Sequence, residues 1–201
     1  MKEFFYEESS IVQNEKSEKF KYNIFNVLLI ISYVLMVFWI IIVFFGYEFS
    51  GYIVLDLIII LTPLALFIAT GILLGKFKNK FFVDYDYTLV TGSLRFSKVI
   101  NNLKRKAITS FDCSAIEKLG EYGSETFNKY SIMPNVSTQI LTSNSSPSMG
   151  KGFYYLVVNT EGDKKLFILE CTDKLIANIM QFANKTILDE EFLKKLMAKR
   201  K

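Results

Sequence analysis

Two long apolar runs near the N-terminus, residues 24–45 and 52–74, constrain this chain more than any other feature. Each exceeds the about 20 residues a helix needs to cross the roughly 30 Å hydrocarbon core of a bilayer. Clearly polar residues are few: Asn26 and Ser32 in the first run, Asp56, Thr62 and Thr70 in the second. A core helix of a soluble protein keeps a polar stripe along its length, and neither run has one. In lipid the backbone must satisfy its own hydrogen bonds, so each run reads as a helix. The link, 46–51, is too short for anything but a tight antiparallel hairpin.

Flanking charge sets the expected orientation. Lys16, Lys19 and Lys21 precede the first run, and Lys76, Lys78 and Lys80 follow the second. The link carries Glu48 and no Lys or Arg. The positive-inside rule then puts both termini in the cytoplasm of a two-span cell-membrane protein. The first run is not a signal peptide: it is too long, and no small-x-small cleavage site follows it. Asp56 is an ionisable group in a span, but it lies close to Gly51, at a depth where headgroup water hydrates it. Pro63, mid-span, is expected to kink its helix.

The rest divides by composition. The chain is 51% hydrophobic yet 22% charged, and the charge is concentrated outside the runs. Residues 1–21 form a cytoplasmic N-terminal segment, either loosely ordered or a short helix along the inner face. Strand signals begin at 83–90, where β-favouring residues alternate. Thr91-Gly92 and Asn101-Asn102 read as turns, giving an antiparallel meander over 83–90, 93–100 and 104–111. Asp84 and Asp86 share one strand face and read as solvent-facing. A fourth strand is expected over 116–122.

The Ser/Thr/Asn-rich stretch 124–152 reads as a partly disordered loop with a short strand near 136–141, serving as a partner-binding loop or a tolerated insertion. A hairpin follows over 153–159 and 164–170. A helix then starts at Thr172 and buries Leu175, Ile176, Ile179, Met180 and Phe182. Residues 188–201 are expected to form a basic amphipathic helix, lying on the membrane or packing on its own domain. The expected architecture is a membrane α-helical hairpin (22–75) plus an α+β cytoplasmic domain (81–187). The meander, the second hairpin and the closing C-terminal helix together resemble the pleckstrin-homology-like (PH-like) fold, which implies an antiparallel sheet or barrel closed by that helix.

The segment Tyr85-Asp86-Tyr87-Thr88-Leu89-Val90-Thr91-Gly92-Ser93-Leu94, directly after two spans, resembles the start of bacterial PH-like membrane proteins. The whole chain is similar to an uncharacterised family of small two-span proteins from Gram-positive anaerobes. Glu3-Phe4-Phe5, Lys104-Arg105-Lys106 running into Ser110-Phe111-Asp112, and Phe167-Ile168-Leu169-Glu170 with the helix after it carry that likeness. The resemblance implies an architecture and assigns no activity.

The sequence argues for binding and against catalysis. It contains no His, the commonest general base and metal ligand. Cys113 and Cys171 form no CxxC and read as free, buried thiols. No GxxxxGK[ST] or GxGxxG cradles a phosphate. No cofactor or metal is expected, and no dense basic stripe points to nucleic acid. The candidate contact set is Lys76, Lys78 and Lys80 with Lys104, Arg105 and Lys106. These residues suit the bilayer surface and its anionic lipid headgroups. The alternative is an accessory or scaffold subunit of a larger membrane complex. It would dock on a membrane protein partner or a second copy through its spans, where Gly71 and Gly75 supply a GxxxG spacing.

Overall fold

The computed structural model describes residues 4–160, 162–183, 187–189 and 192–193. It comprises two compact units, Asn14–Phe82 and, from both sides of it in sequence, Met1–Gln13 with Val83–Lys201.

The first unit is the hairpin: α1 (Glu15–Gly46) and α2 (Ile53–Lys78). Both helices are long and apolar enough to cross a membrane. Their apolar side chains stand open rather than packed inside the protein: Val34, Phe38 and Ile41 on α1, Leu57, Leu61 and Leu66 on α2. Such a surface is compatible with a two-span membrane protein. The helices approach closely at Gly71, where a Cβ would sit 3.3 Å from the Tyr33 ring; one at Gly75 would sit 3.5 Å from Leu29. The GxxxG spacing therefore serves the hairpin itself. Trp39 Nε1 donates to the Ile60 carbonyl and Ser32 Oγ to that of Phe67, both at 3.3 Å. Ile60 lies in the turn before Pro63, which α2 passes through without ending.

Asp56 corrects an expectation. It is 4% exposed rather than hydrated. Its Oδ1 accepts from Tyr47 Oη at 2.8 Å, Ser50 Oγ at 2.8 Å and Ser50 N at 3.2 Å. The carboxylate holds the inter-helix link closed.

The second unit contains two four-stranded sheets. The first runs in the order β1 (Phe5–Ser10), β2 (Val83–Val90), β3 (Ser93–Ile100), β4 (Lys104–Asp112). The second runs β5 (Ile116–Glu121), β7 (Gly152–Thr160), β8 (Asp163–Cys171), β6 (Val136–Ile140). In the three-residue 101–103 link between β3 and β4, Asn101 and Asn102 both adopt positive φ, 52° and 54°, a conformation that asparagine tolerates. The α+β layout stands, but no closed sheet forms among the described residues. The meander and the second hairpin belong to separate sheets, and β6 pairs with β8 in parallel.

The N-terminal segment also differs from expectation. Residues 5–10 are a strand, paired antiparallel with β2 from Phe5↔Val90 to Ser10↔Tyr85. The 124–152 stretch is structured too. Ser124 caps α3 (Glu125–Ser131), accepting the Phe127 N–H at 3.2 Å, and β6 follows. Of the expected 188–201 helix, only 188–189 and 192–193 are described. Leu188 is bridged to Leu119 of β5, whereas 192–193 are helical and the Leu193 N–H donates to the Asp189 carbonyl at 2.9 Å; the other residues of this stretch lie outside the described ones.

One core lies between the sheets. Phe96 sits at its centre, with ring centroids 5.7 Å from Tyr87, 5.5 Å from Phe111 and 5.4 Å from Phe167. Leu175, Ile176 and Ile179 of α4 (Asp173–Phe182) join the same core. A smaller cluster of Phe127, Val136, Tyr155, Val157, Leu166 and Ile168 lies under α3 and β6. Phe96→Ala should cost about 3–5 kcal/mol, as large-to-small core changes do. Chemical denaturation of the full-length protein in detergent measures it, and a loss below about 1 kcal/mol would show that this ring cluster is not the core.

Candidate functional site

The register of the first sheet gathers one end of it. Val83, where β2 begins, lies opposite Ile100, and Ile100 opposite Lys104. The last β1 pair, Ser10↔Tyr85, lies at the same end. The chain leaves this unit for α1 after Gln13 and re-enters it from α2 at Val83. Both crossings, and the β3–β4 turn, therefore occupy one end of one sheet.

Three amines meet there. Lys98 and Lys106 are directly opposite, and Lys104 follows on the same face. Lys104 and Lys106 are exposed, Lys98 half-buried. Burial pushes the Lys98 amine below its ordinary value, and the charge of Lys106 adds to the shift. Like charges directly across a sheet are destabilising. Among the described residues, none of the three has an ion-pair partner.

Arg105 points to the other face. Its guanidinium lies 2.7 Å from Asp86 Oδ2, off the N–H axis, and 3.6 Å from Glu7. Asp84 and Asp86 share that face but are 7% and 5% exposed, not solvent-facing. Asp84 Oδ1 accepts the Val12 N–H at 2.8 Å, and Asp86 Oδ1 the Ser9 hydroxyl at 2.6 Å. Both carboxylates hold the N-terminal segment. Lys76, Lys78 and Lys80 belong to the hairpin unit. Lys78 Nζ donates to Asn26 Oδ1 at 2.8 Å and lies 5.6 Å from the Tyr22 ring centroid; Lys80 lies 4.9 Å from that of Phe77. Lys76 is exposed.

Behind the basic end is a clasp that the sequence did not announce. Glu170 is fully buried. Its Oε2 accepts from Ser10 Oγ at 2.6 Å, Thr142 Oγ1 at 2.6 Å and Asn144 Nδ2 at 2.7 Å. Its Oε1 accepts from Ser148 N at 2.8 Å and Ser148 Oγ at 2.5 Å. The same loop binds both chain crossings. Asn144 donates to the Ile11 carbonyl and accepts the Gln13 N–H, each at 2.8 Å, and Ser143 Oγ donates to the Val83 carbonyl at 2.7 Å. Glu8 takes the Thr172 N–H at 2.9 Å and lies 3.4 Å from Lys151 Nζ. The Ser/Asn composition read as disorder is a set of short donors around one carboxylate. Lys98 was legible in principle, being a lysine at the parity of Leu94 and Phe96.

The model of the family described as "Bacterial PH-like domain (DUF6106)" matches residues 2–189. The chain belongs to this family. No curated protein and no solved structure matches this PH-like protein significantly.

Burial pushes the Glu170 carboxyl up, but the hydrogen bonds from Ser10, Ser148 and Thr142 outweigh it and hold the pKa at about 2, against an ordinary 4.5. The folded state thus binds this proton less readily than the unfolded chain. The stabilisation is complete above pH 4.5 and is lost as pH falls towards 2. It amounts to at most roughly 3 kcal/mol. Glu170→Gln should lower the melting temperature at neutral pH and flatten the acid limb of stability between these values. Parallel pH profiles for variant and wild type would remove Glu170 from this role.

Proposed function

We propose that this PH-like protein is a membrane-tethered, non-catalytic binding module at the inner membrane face. The helix pair spans the bilayer, both termini are cytoplasmic, and the strand-rich domain contacts anionic lipid headgroups. What carries the reading is the register of the first sheet. Lys98, Lys104 and Lys106 stand at the end from which the chain runs into both spans. Only residues 79–82 join α2 to β2, so a domain on this tether stays at the surface its hairpin crosses.

The energetics favour the same partner. Three amines with no carboxylate partner among the described residues repel one another, and an anionic surface relieves that repulsion. Each contributes on the order of 1 kcal/mol near such a surface. Lys76 and Lys80, on the last turn of α2 and just past it, set orientation and add to the same field. Arg105 is a structural residue in this reading, held by Asp86. No phosphate cradle or metal cluster is needed, because attraction to headgroups is diffuse rather than coordinative.

Full-length protein in nanodiscs tests this. Amine acetylation of Lys104 and Lys106, read by mass spectrometry, should be several-fold slower in discs containing phosphatidylglycerol than in phosphatidylcholine alone. High salt should abolish the difference, since the screening length falls to about 3 Å at 1 M. Equal labelling in both discs would sink the proposal.

A further inference from the structure

The β3–β4 turn carries more than charge. Leu103, directly after Asn101-Asn102, is 85% exposed. The turn is hydrogen-bonded: both asparagines hold positive φ, and the Leu103 N–H closes on the Ile100 carbonyl at 3.1 Å. A single exposed leucine needs no explanation by itself. This one stands at a hairpin tip, directly before Lys104-Arg105-Lys106, at the sheet end through which the chain passes to both spans.

We propose that Leu103 is an interfacial anchor, entering the headgroup region of an anionic bilayer while Lys98, Lys104 and Lys106 engage the phosphates around it. This rests on the lipid-facing reading of the domain and adds depth and orientation to it. An apolar tip with basic flanks suits the boundary between headgroups and acyl chains, where apolar burial and attraction to anionic lipid add. The preset turn helps, because the tip pays little ordering entropy on insertion. Charge complementarity selects the occupant: an acidic surface relieves the facing pair Lys98 and Lys106, and a bilayer also receives the leucine.

The test uses full-length protein carrying Leu103→Cys, labelled with an environment-sensitive nitrobenzoxadiazole dye, in the same two kinds of nanodisc. Cys113 and Cys171 are buried, and burial pushes the Cys113 thiol up to about 11, so neither competes for the label. Ser110→Cys is the control, exposed on the same strand and seven residues away, about 23 Å at strand rise. In phosphatidylglycerol discs the dye at 103 should shift to the blue and be quenched by nitroxide-bearing lipid, and the dye at 110 should do neither. A dye at 103 that stays aqueous while Lys104 and Lys106 are protected overturns the anchor alone. An aqueous dye with both lysines unprotected overturns the anchor and the lipid-facing reading together. Equal quenching at 103 and 110 also overturns the anchor, since insertion would then not belong to the tip.

Discussion

The buried carboxylate of Glu170 is the joint on which the strand-rich unit depends. An ionised group with no solvent contact is tolerated only when its oxygens are filled with donors. Here those donors come from three separate stretches: Ser10 at the end of β1, Thr142 and Asn144 after β6, and Ser148 before β7. None of these stretches has a strong reason to lie where it does without the others. Once they converge, removing any one leaves a charge partly unsatisfied. The carboxylate therefore converts a polar loop and a short N-terminal strand into fixed parts of the fold. Glu8, Asp84 and Asp86 extend the same device along the N-terminal segment, each holding or held by a side chain or amide across the unit.

Fixing β1 has a consequence for topology. The stretch between Gln13 and Val83 begins and ends in one folded unit, because β1 pairs with β2. A chain that leaves a domain and returns to it crosses any intervening bilayer an even number of times. Strand pairing is thus compatible with a two-span arrangement, as is the placement of lysines before the first helix and after the second. The hairpin meets this requirement with internal fittings: Gly71 against Tyr33, the Trp39 bond to Ile60, and Asp56 closing the link.

What the sequence disclosed follows from range. The apolar runs, the Thr91-Gly92 and Asn101-Asn102 turns and the Thr172 helix start are local signals, and all three classes were readable. β1 was not, because Glu7, Glu8, Ser9 and Ser10 look like a solvated leader until a partner some eighty residues away is known. Asp84 and Asp86 shared a face as alternation required, but their burial depends on Ser9, Val12 and Arg105 meeting them there. The Ser/Asn loop failed for the same reason: its composition is that of disorder unless a buried acceptor exists, and Glu170 sits at the end of a hydrophobic strand where nothing local marks it. Of the basic set, Lys104 and Lys106 were visible as a run. Lys98 emerged only when the register set it opposite Lys106.

The contrast between acids and amines within the unit is itself an argument. Asp86 and Glu170 are buried and Glu8 is half-buried, and each is matched by donors or a cation. Lys98, Lys104 and Lys106 share one face of one sheet end, and two of them face each other directly. A sequence shaped only for the stability of this sheet would place an apolar residue or an acid opposite Lys106, since like charges in cross-strand register weaken the pair. The chain supplies carboxylates generously to the N-terminal segment, and among the described residues none forms an ion pair with these three amines. Violations of local consistency of this kind concentrate where a protein meets something else. The corner lies where the chain departs for its two apolar helices, and in the lipid-facing reading proposed above an anionic surface completes its electrostatics.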